Sequence, residues 1–161
     1  MKNLIHTLVA SLVALTVLVP SAASADHQAF QAGSLQQIEQ QYAGKSFLLV
    51  LWEINCFPCH EEMALLSTLK KDHPDADVVM ISTDDISKQQ DITAMLEKHE
   101  LNGIDSWLFA DQNLEKLRYS IDPEWFGELP RNYIYDTDGS RIGFSGKLTQ
   151  EVLDEWMKSG G

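Results

Sequence analysis

Apolar positions along the chain fall into short blocks of contrasting rhythm. Ser46 to Trp52, SFLLVLW, is a continuous apolar run bounded by Lys45 and Glu53. It is too short for a typical helix and apolar on both faces, which predicts a strand covered on both sides. Ala76 to Ser82, ADVVMIS, repeats that character. Between them, Glu61 to Asp72 places Met63, Leu66, Leu69 and Lys70 at helical spacing until His73-Pro74 stops the run. Strand, helix and strand in this order predict a right-handed crossover.

The alternation continues toward the C-terminus. Ile86 to Leu101 predicts a helix, Ser106 to Ala110 a short strand and Asn113 to Ser120 another helix. Arg131 to Asp136 and Arg141 to Ser145 flank the turn residues Asp136-Thr137-Asp138-Gly139, the signal of an antiparallel hairpin. Thr149 to Lys158 predicts a closing helix with Val152, Leu153 and Trp156 on one face. At the other end, Ser34 to Gly44 predicts a short helix, with Ser34 and Gln37 as a capping box and Gly44 as its stop. No internal repeat, low-complexity tract or long linker interrupts the pattern. The expected fold class is therefore a single α/β layer domain built on a central mixed β-sheet flanked by helices.

The first 25 residues do not belong to that pattern. Lys2, the 16-residue apolar stretch Leu4 to Val19, Pro20 and the small residues Ala23-Ser24-Ala25 compose a secretory signal peptide. A retained membrane anchor is the competing reading, but the stretch is short of the ~20 residues that span a bilayer. The expected organisation is a signal peptide at 1–25 and a folded domain at 26–161. The compartment is then extracytoplasmic, the periplasm, and permits disulfides.

Composition changes the picture by exclusion. The 161 residues carry 12 basic and 24 acidic side chains, a formal net charge of -12. Nucleic acid is therefore not an expected partner, because neutralising phosphates needs clustered Lys and Arg. At 44% hydrophobic content the chain can build a core and is not a disordered polyanion.

The candidate chemistry is concentrated in Cys56-Phe57-Pro58-Cys59, which holds the only two cysteines and stands between the apolar strand and the following helix. Unpaired N–H groups at a helix N-terminus favour a thiolate, and Pro58 is tolerated in the first turn. Cys56 is thus the expected nucleophile, and Cys59, one turn further in, the resolving thiol of a redox-active disulfide. A purely structural bridge gains little here, since closing a four-residue loop contributes about 2 kcal/mol. Two thiols and His60 leave zinc a ligand short, and no metal site is expected. Cys56-Phe57-Pro58-Cys59-His60 also satisfies the pattern for covalent c-type haem attachment, with His60 as proximal ligand. That reading stays open at this point, although the strand-helix-strand context leaves His60 as a solvent-facing helix residue.

These residues together resemble the thioredoxin superfamily, and within it the TlpA/ResA-like extracytoplasmic thiol-disulfide reductases. Trp52 stands four residues before Cys56, as in that group's W-x-x-x-C, and WEINCFPCHEEM is similar to its strand-to-active-site segment. Leu129-Pro130 stands where the family places a cis-proline ahead of a hairpin, and YIYDTDGSRIGFSGK is similar to the hairpin. The resemblance implies a thioredoxin-like fold and a substrate surface made by Trp52, Phe57, Pro58, Leu129 and Pro130. Pro130 would lie against Cys56, with the Leu129 backbone pairing with an extended substrate. It also implies that Glu62, three residues after Cys59, assists deprotonation of Cys59. The competing reading of Glu62 is a water-facing acid that complements the helix dipole.

Several positions depart from the family. Asn55 replaces a Trp, Val50 stands where cytoplasmic thioredoxins bury an Asp, and Arg131 follows the proline in place of a small hydroxyl residue. The approach Ile121 to Gly127 is longer than usual, and its Trp125 and Phe126 are expected in the core, with an apolar rim for a partner as the competing reading. The implied function is reduction of protein disulfides through a mixed-disulfide intermediate. Its partners would be protein thiol and disulfide substrates and a membrane thiol electron donor, with no organic cofactor and a monomeric chain. A non-catalytic thioredoxin-fold binding module is the remaining alternative.

Overall fold

A computed structural model describes residues 27–161. The expected signal peptide lies outside them. Among the described residues, no helix is long and apolar enough to cross a membrane.

The chain runs β1 (Gln28–Phe30), α1 (Ser34–Gln41), β2 (Phe47–Trp52), α2 (Phe57–Asp72), β3 (Val78–Asp85), α3 (Gln89–Lys98), β4 (Asp105–Phe109), α4 (Leu114–Ile121), β5 (Arg131–Tyr135), β6 (Arg141–Ser145) and α5 (Gln150–Ser159). The six strands form one sheet in the order β1-β4-β3-β2-β5-β6. From β1 to β2 neighbours are parallel; β5 runs antiparallel to β2, and β6 antiparallel to β5. This is the mixed sheet that the element pattern predicts.

All six residues of β2 are buried, as the unbroken apolar run requires of a central strand. Period-2 alternation sends them to opposite faces. Leu48, Val50 and Trp52 join a core with Cys56, Cys59, Met63, Leu66 and Leu69 of the α2 segment, Ile92 and Leu96 of α3, and Leu153 and Trp156 of α5. Phe47, Leu49 and Leu51 join a second core with Leu35 and Ile38 of α1 and Leu117 and Ile121 of α4. The sheet therefore separates two helical layers, and the dithiol segment belongs to the α2 side.

Three local expectations need correction, and one strand has no counterpart among the expected elements. The Ser34 capping box does not form: Gly33, at φ 93°, is the N-cap, and the Ser34 hydroxyl instead accepts from the Gln31 N–H at 2.9 Å. The helix expected from Ile86 opens as a 3-10 turn, Ile86–Lys88, because the Asp85 carboxylate caps the Ser87 N–H. The edge strand β1 was not foreseen. Trp125 is buried as expected, at 4% exposure, but Phe126 is not in the core: it is 84% exposed.

Candidate active site

The C-terminal end of β2 delivers the chain through Glu53, Ile54 and Asn55 to Cys56, which is the N-cap of α2. Cys56 and Cys59 are joined in a disulfide. The Cys59 N–H points at Cys56 Sγ from 3.2 Å, as an N-cap acceptor receives the third helical amide. After reduction, that amide and the positive helix end would stabilise a charge on Cys56 more than on Cys59. Exposure agrees, with 8% of Cys56 and 1% of Cys59 accessible.

The loop before Cys56 is held on both sides of one residue. The Ile54 N–H donates to Asp84 Oδ2 at 2.8 Å, and His60 Nε2–H donates to the Ile54 carbonyl at 2.8 Å. Asp84, buried at the end of β3, also accepts from Ser82 Oγ at 3.1 Å and from Lys88 Nζ at 2.7 Å. His60 is thus half-buried and turned toward the loop, not the solvent-facing residue expected. The nitrogen that haem iron would need already carries a proton committed to Ile54. Asp84→Ala should leave the Ile54 amide and Lys88 without their acceptor and cost about 1.5–3 kcal/mol, the range for hydrogen bonds to charged groups. A denaturant midpoint unchanged by the substitution would show that the loop does not depend on Asp84.

Glu62, one turn beyond Cys59, is 2% exposed, so it does not face water. Its Oε2 accepts from the Leu148 N–H at 2.7 Å and from Asn132 Nδ2 at 3.1 Å. Its Oε1 has no hydrogen-bond partner. Burial pushes the carboxyl up to about 7, although the Leu148 and Asn132 donors and the Lys147 charge oppose the rise. Because Oε2 already faces two N–H donors, the proton of the neutral form belongs on Oε1. The site therefore contains a carboxyl that can take or release a proton near neutrality.

Asn132 was not singled out in the sequence, and it completes this arrangement. It is fully buried on β5, directly opposite Val50 of β2. Its Nδ2 also donates to the Gly146 carbonyl at 3.0 Å. An amide at an inward position of an apolar strand was the available signal. Asp84 offered less: nothing in Ser82-Thr83-Asp84 announces that its carboxylate reaches back to Ile54.

The remaining expected site residues are distributed unevenly. Trp52 is completely buried in the core beneath the sulfurs, with no surface to offer a substrate. Phe57 is 71% exposed and Pro58 is exposed beside it. Leu129 is half-buried, and the Leu129-Pro130 peptide bond is cis. In the sheet register Leu51 faces Arg131, so Pro130 lies at the same end of the sheet as Cys56. Arg131 is no free cation: Nη2 donates to Asp122 Oδ2 at 2.7 Å and its guanidinium stacks over Tyr133. Lys147 is likewise paired with Glu61.

The AhpC/TSA family model matches residues 20–140. No curated protein matches the chain by sequence. Among solved structures, the chain is similar to a secreted disulfide oxidoreductase from Mycobacterium tuberculosis, itself described as homologous to E. coli DsbE. The identity is 19%, with a TM-score of 0.59, covering 74% of this chain and 84% of that one. The thioredoxin domain of a thiol-disulfide oxidoreductase from Bacteroides vulgatus matches at 17% identity and TM-score 0.61, covering 76% and 84%. StoA from Bacillus subtilis matches at 19% and 0.53, covering 71% and 84%. At such identities the likeness establishes a common thioredoxin-like fold.

Proposed function

Because the chain belongs to the AhpC/TSA family, we propose that its Cys56–Cys59 pair works as an extracytoplasmic thiol-disulfide oxidoreductase that reduces protein disulfides. The observation that carries this reading is the placement of the two sulfurs, with Cys56 as the N-cap of α2 and its Sγ facing the Cys59 N–H. The solved oxidoreductases of the same fold support the reaction class.

In the forward reaction the Cys56 thiolate attacks one sulfur of a substrate disulfide and expels the other as a thiolate, which takes a proton from water. Cys59 then gives its proton to the Glu62 carboxylate and attacks Cys56 Sγ. The second substrate thiolate leaves, Cys56–Cys59 is oxidised, and two electrons have passed to the substrate. No step needs an organic cofactor or a metal. Phe57, Pro58 and the half-buried Leu129 form the substrate surface, while the buried Pro130 and Trp52 support it from beneath.

Burial supports the reducing direction. Both sulfurs lie in an apolar core, and the cations Lys147 and Arg131 are committed to Glu61 and Asp122. Apolar surroundings and the Glu62 carboxylate raise thiol pKa values, and a less stabilised thiolate makes the dithiol the better donor. The pair is returned to the dithiol by a membrane thiol carrier, and residues 1–25 direct the export of a monomeric chain.

An insulin-type disulfide reduction assay tests the reading. Catalysed turnover above that of the chemical reductant alone is expected; a folded, fully reduced protein that gives none would instead be a binding module.

A further inference from the structure

The segment between α4 and β5 is built as a closed loop with one feature left unexplained. At its base, the Asp122–Arg131 pair is largely shielded, and Tyr133 Oη–H donates to the same Asp122 oxygen at 2.9 Å. Arg141 Nη2 donates to the Ile121 carbonyl at 2.5 Å. Inside the loop, the Glu124 N–H donates to Asp122 Oδ1, the Trp125 N–H to the Asp122 carbonyl, and the buried Trp125 Nε1–H to the Glu128 carbonyl at 2.9 Å. Gly127 turns the chain at φ 102°, where a Cβ would be strained and would also stand 3.1 Å from Arg118 Nη1. A loop tied at this many points holds its backbone, and so the points from which its exposed side chains project, in place.

Phe126 projects from this tied backbone, and it is 84% exposed. It stands four residues before Pro130, which lies at the sheet end where β2 runs out to Cys56. Phe57, which follows Cys56 as the first residue of α2, is 71% exposed. Scattered exposed apolar residues need no explanation, but one exposed aromatic on the first residue of the active-site helix and another on the loop leading into Pro130 offer a substrate two apolar contacts. Glu124 and Glu128 flank Phe126, are exposed, and join no ion pair among the described residues. They add to a chain with 24 acidic and 12 basic side chains.

We propose that Phe126 is a specificity-determining contact of this site. Resting on the oxidoreductase reading above, the loop selects extended, cysteine-bearing segments of basic proteins that carry a large apolar side chain near the cysteine. The apolar side chain meets Phe126 and Phe57, and the basic flanks meet Glu124 and Glu128.

Three synthetic peptides with a cysteine in mixed disulfide with thionitrobenzoate test this, with glutathione disulfide as a fourth substrate. One peptide carries Phe near the cysteine and Lys flanks, the second Gly for Phe, and the third Glu for Lys. The reduced wild-type protein should prefer the Phe peptide to the Gly peptide by about tenfold in kcat/KM, the lower end for one apolar group in a pocket. Phe126→Ala should reduce that ratio below about twofold, and Phe126→Leu should retain most of it. The Lys-over-Glu preference should fall as salt is raised. Equal Phe-to-Gly ratios in wild type and Phe126→Ala, or preference for the Glu peptide, would overturn the proposal while leaving the oxidoreductase reading intact. Failure to exchange with any of the four disulfides would overturn both.

Discussion

Cys56→Ser should lower disulfide-exchange turnover by on the order of 10³-fold or more, because a serine hydroxyl is not ionised near neutral pH and cannot replace a thiolate nucleophile. Cys59→Ser should behave differently. The Cys56 thiolate still attacks, but nothing resolves the adduct, so covalent partners should accumulate at Cys56 and survive non-reducing electrophoresis. The two variants form an internal control. Each loses the same four-residue bridge, worth about 2 kcal/mol in the chain-entropy treatment, so a difference in trapping cannot come from stability. Cys56 is the N-cap whose sulfur faces an amide and retains some exposure, whereas Cys59 is 1% accessible. Equal trapping by both variants, or trapping through Cys59 alone, would reverse the assignment.

Glu62→Gln is expected to stabilise the protein and slow it. Burial raises the Glu62 pKa from 4.5 to about 7, so between those values the folded state holds a proton that the unfolded chain has released. Stability therefore falls as pH rises through this window, by about 3 kcal/mol in all, and the full cost persists above pH ~7. An amide of the same shape keeps an oxygen for the Leu148 and Asn132 donors and never ionises. The stability of Glu62→Gln should accordingly stay nearly level from pH 4.5 to 8, and above pH ~7 exceed that of the wild type by up to about 3 kcal/mol. In the proposed mechanism the same change removes the proton acceptor for Cys59. Resolution of the mixed disulfide should slow by about 10²–10⁴-fold, the usual contribution of a general base. The inflection near pH 7 should vanish from the rate profile. A variant that resolves at the wild-type rate would reduce Glu62 to a buried acid with a structural role.

The central strand was legible because an unbroken apolar run has few other uses: every residue of β2 is buried, three on each face. β1 was not, since only Phe30 of its three residues is buried and no periodicity can show in so short a strand. The failure at Ser34 was one of competing acceptors. Gly33 took the cap conformation, and the hydroxyl was drawn to the Gln31 amide instead. In the site, Cys56, Cys59 and the position of Glu62 followed from spacing on one helix. The state of Glu62 did not, because its burial depends on Asn132 and Leu148, 70 and 86 residues away. The loop before β5 divides in the same way. Trp125 and Phe126 are alike by composition, and it is Trp125 that turns inward, where it joins the core of α1 and α4 and its indole N–H meets the Glu128 carbonyl.

The reducing direction is the claim that most depends on the balance of these local terms, and the reduction potential of Cys56–Cys59 reads that balance directly. Each pKa unit by which a site stabilises its thiolate raises the potential by about 30 mV. Two buried sulfurs beside a carboxyl, with the nearby cations engaged elsewhere, should bring the pair below about -200 mV when equilibrated with a glutathione or dithiothreitol redox buffer. A potential near -120 mV, that of a strong disulfide donor, would contradict the account.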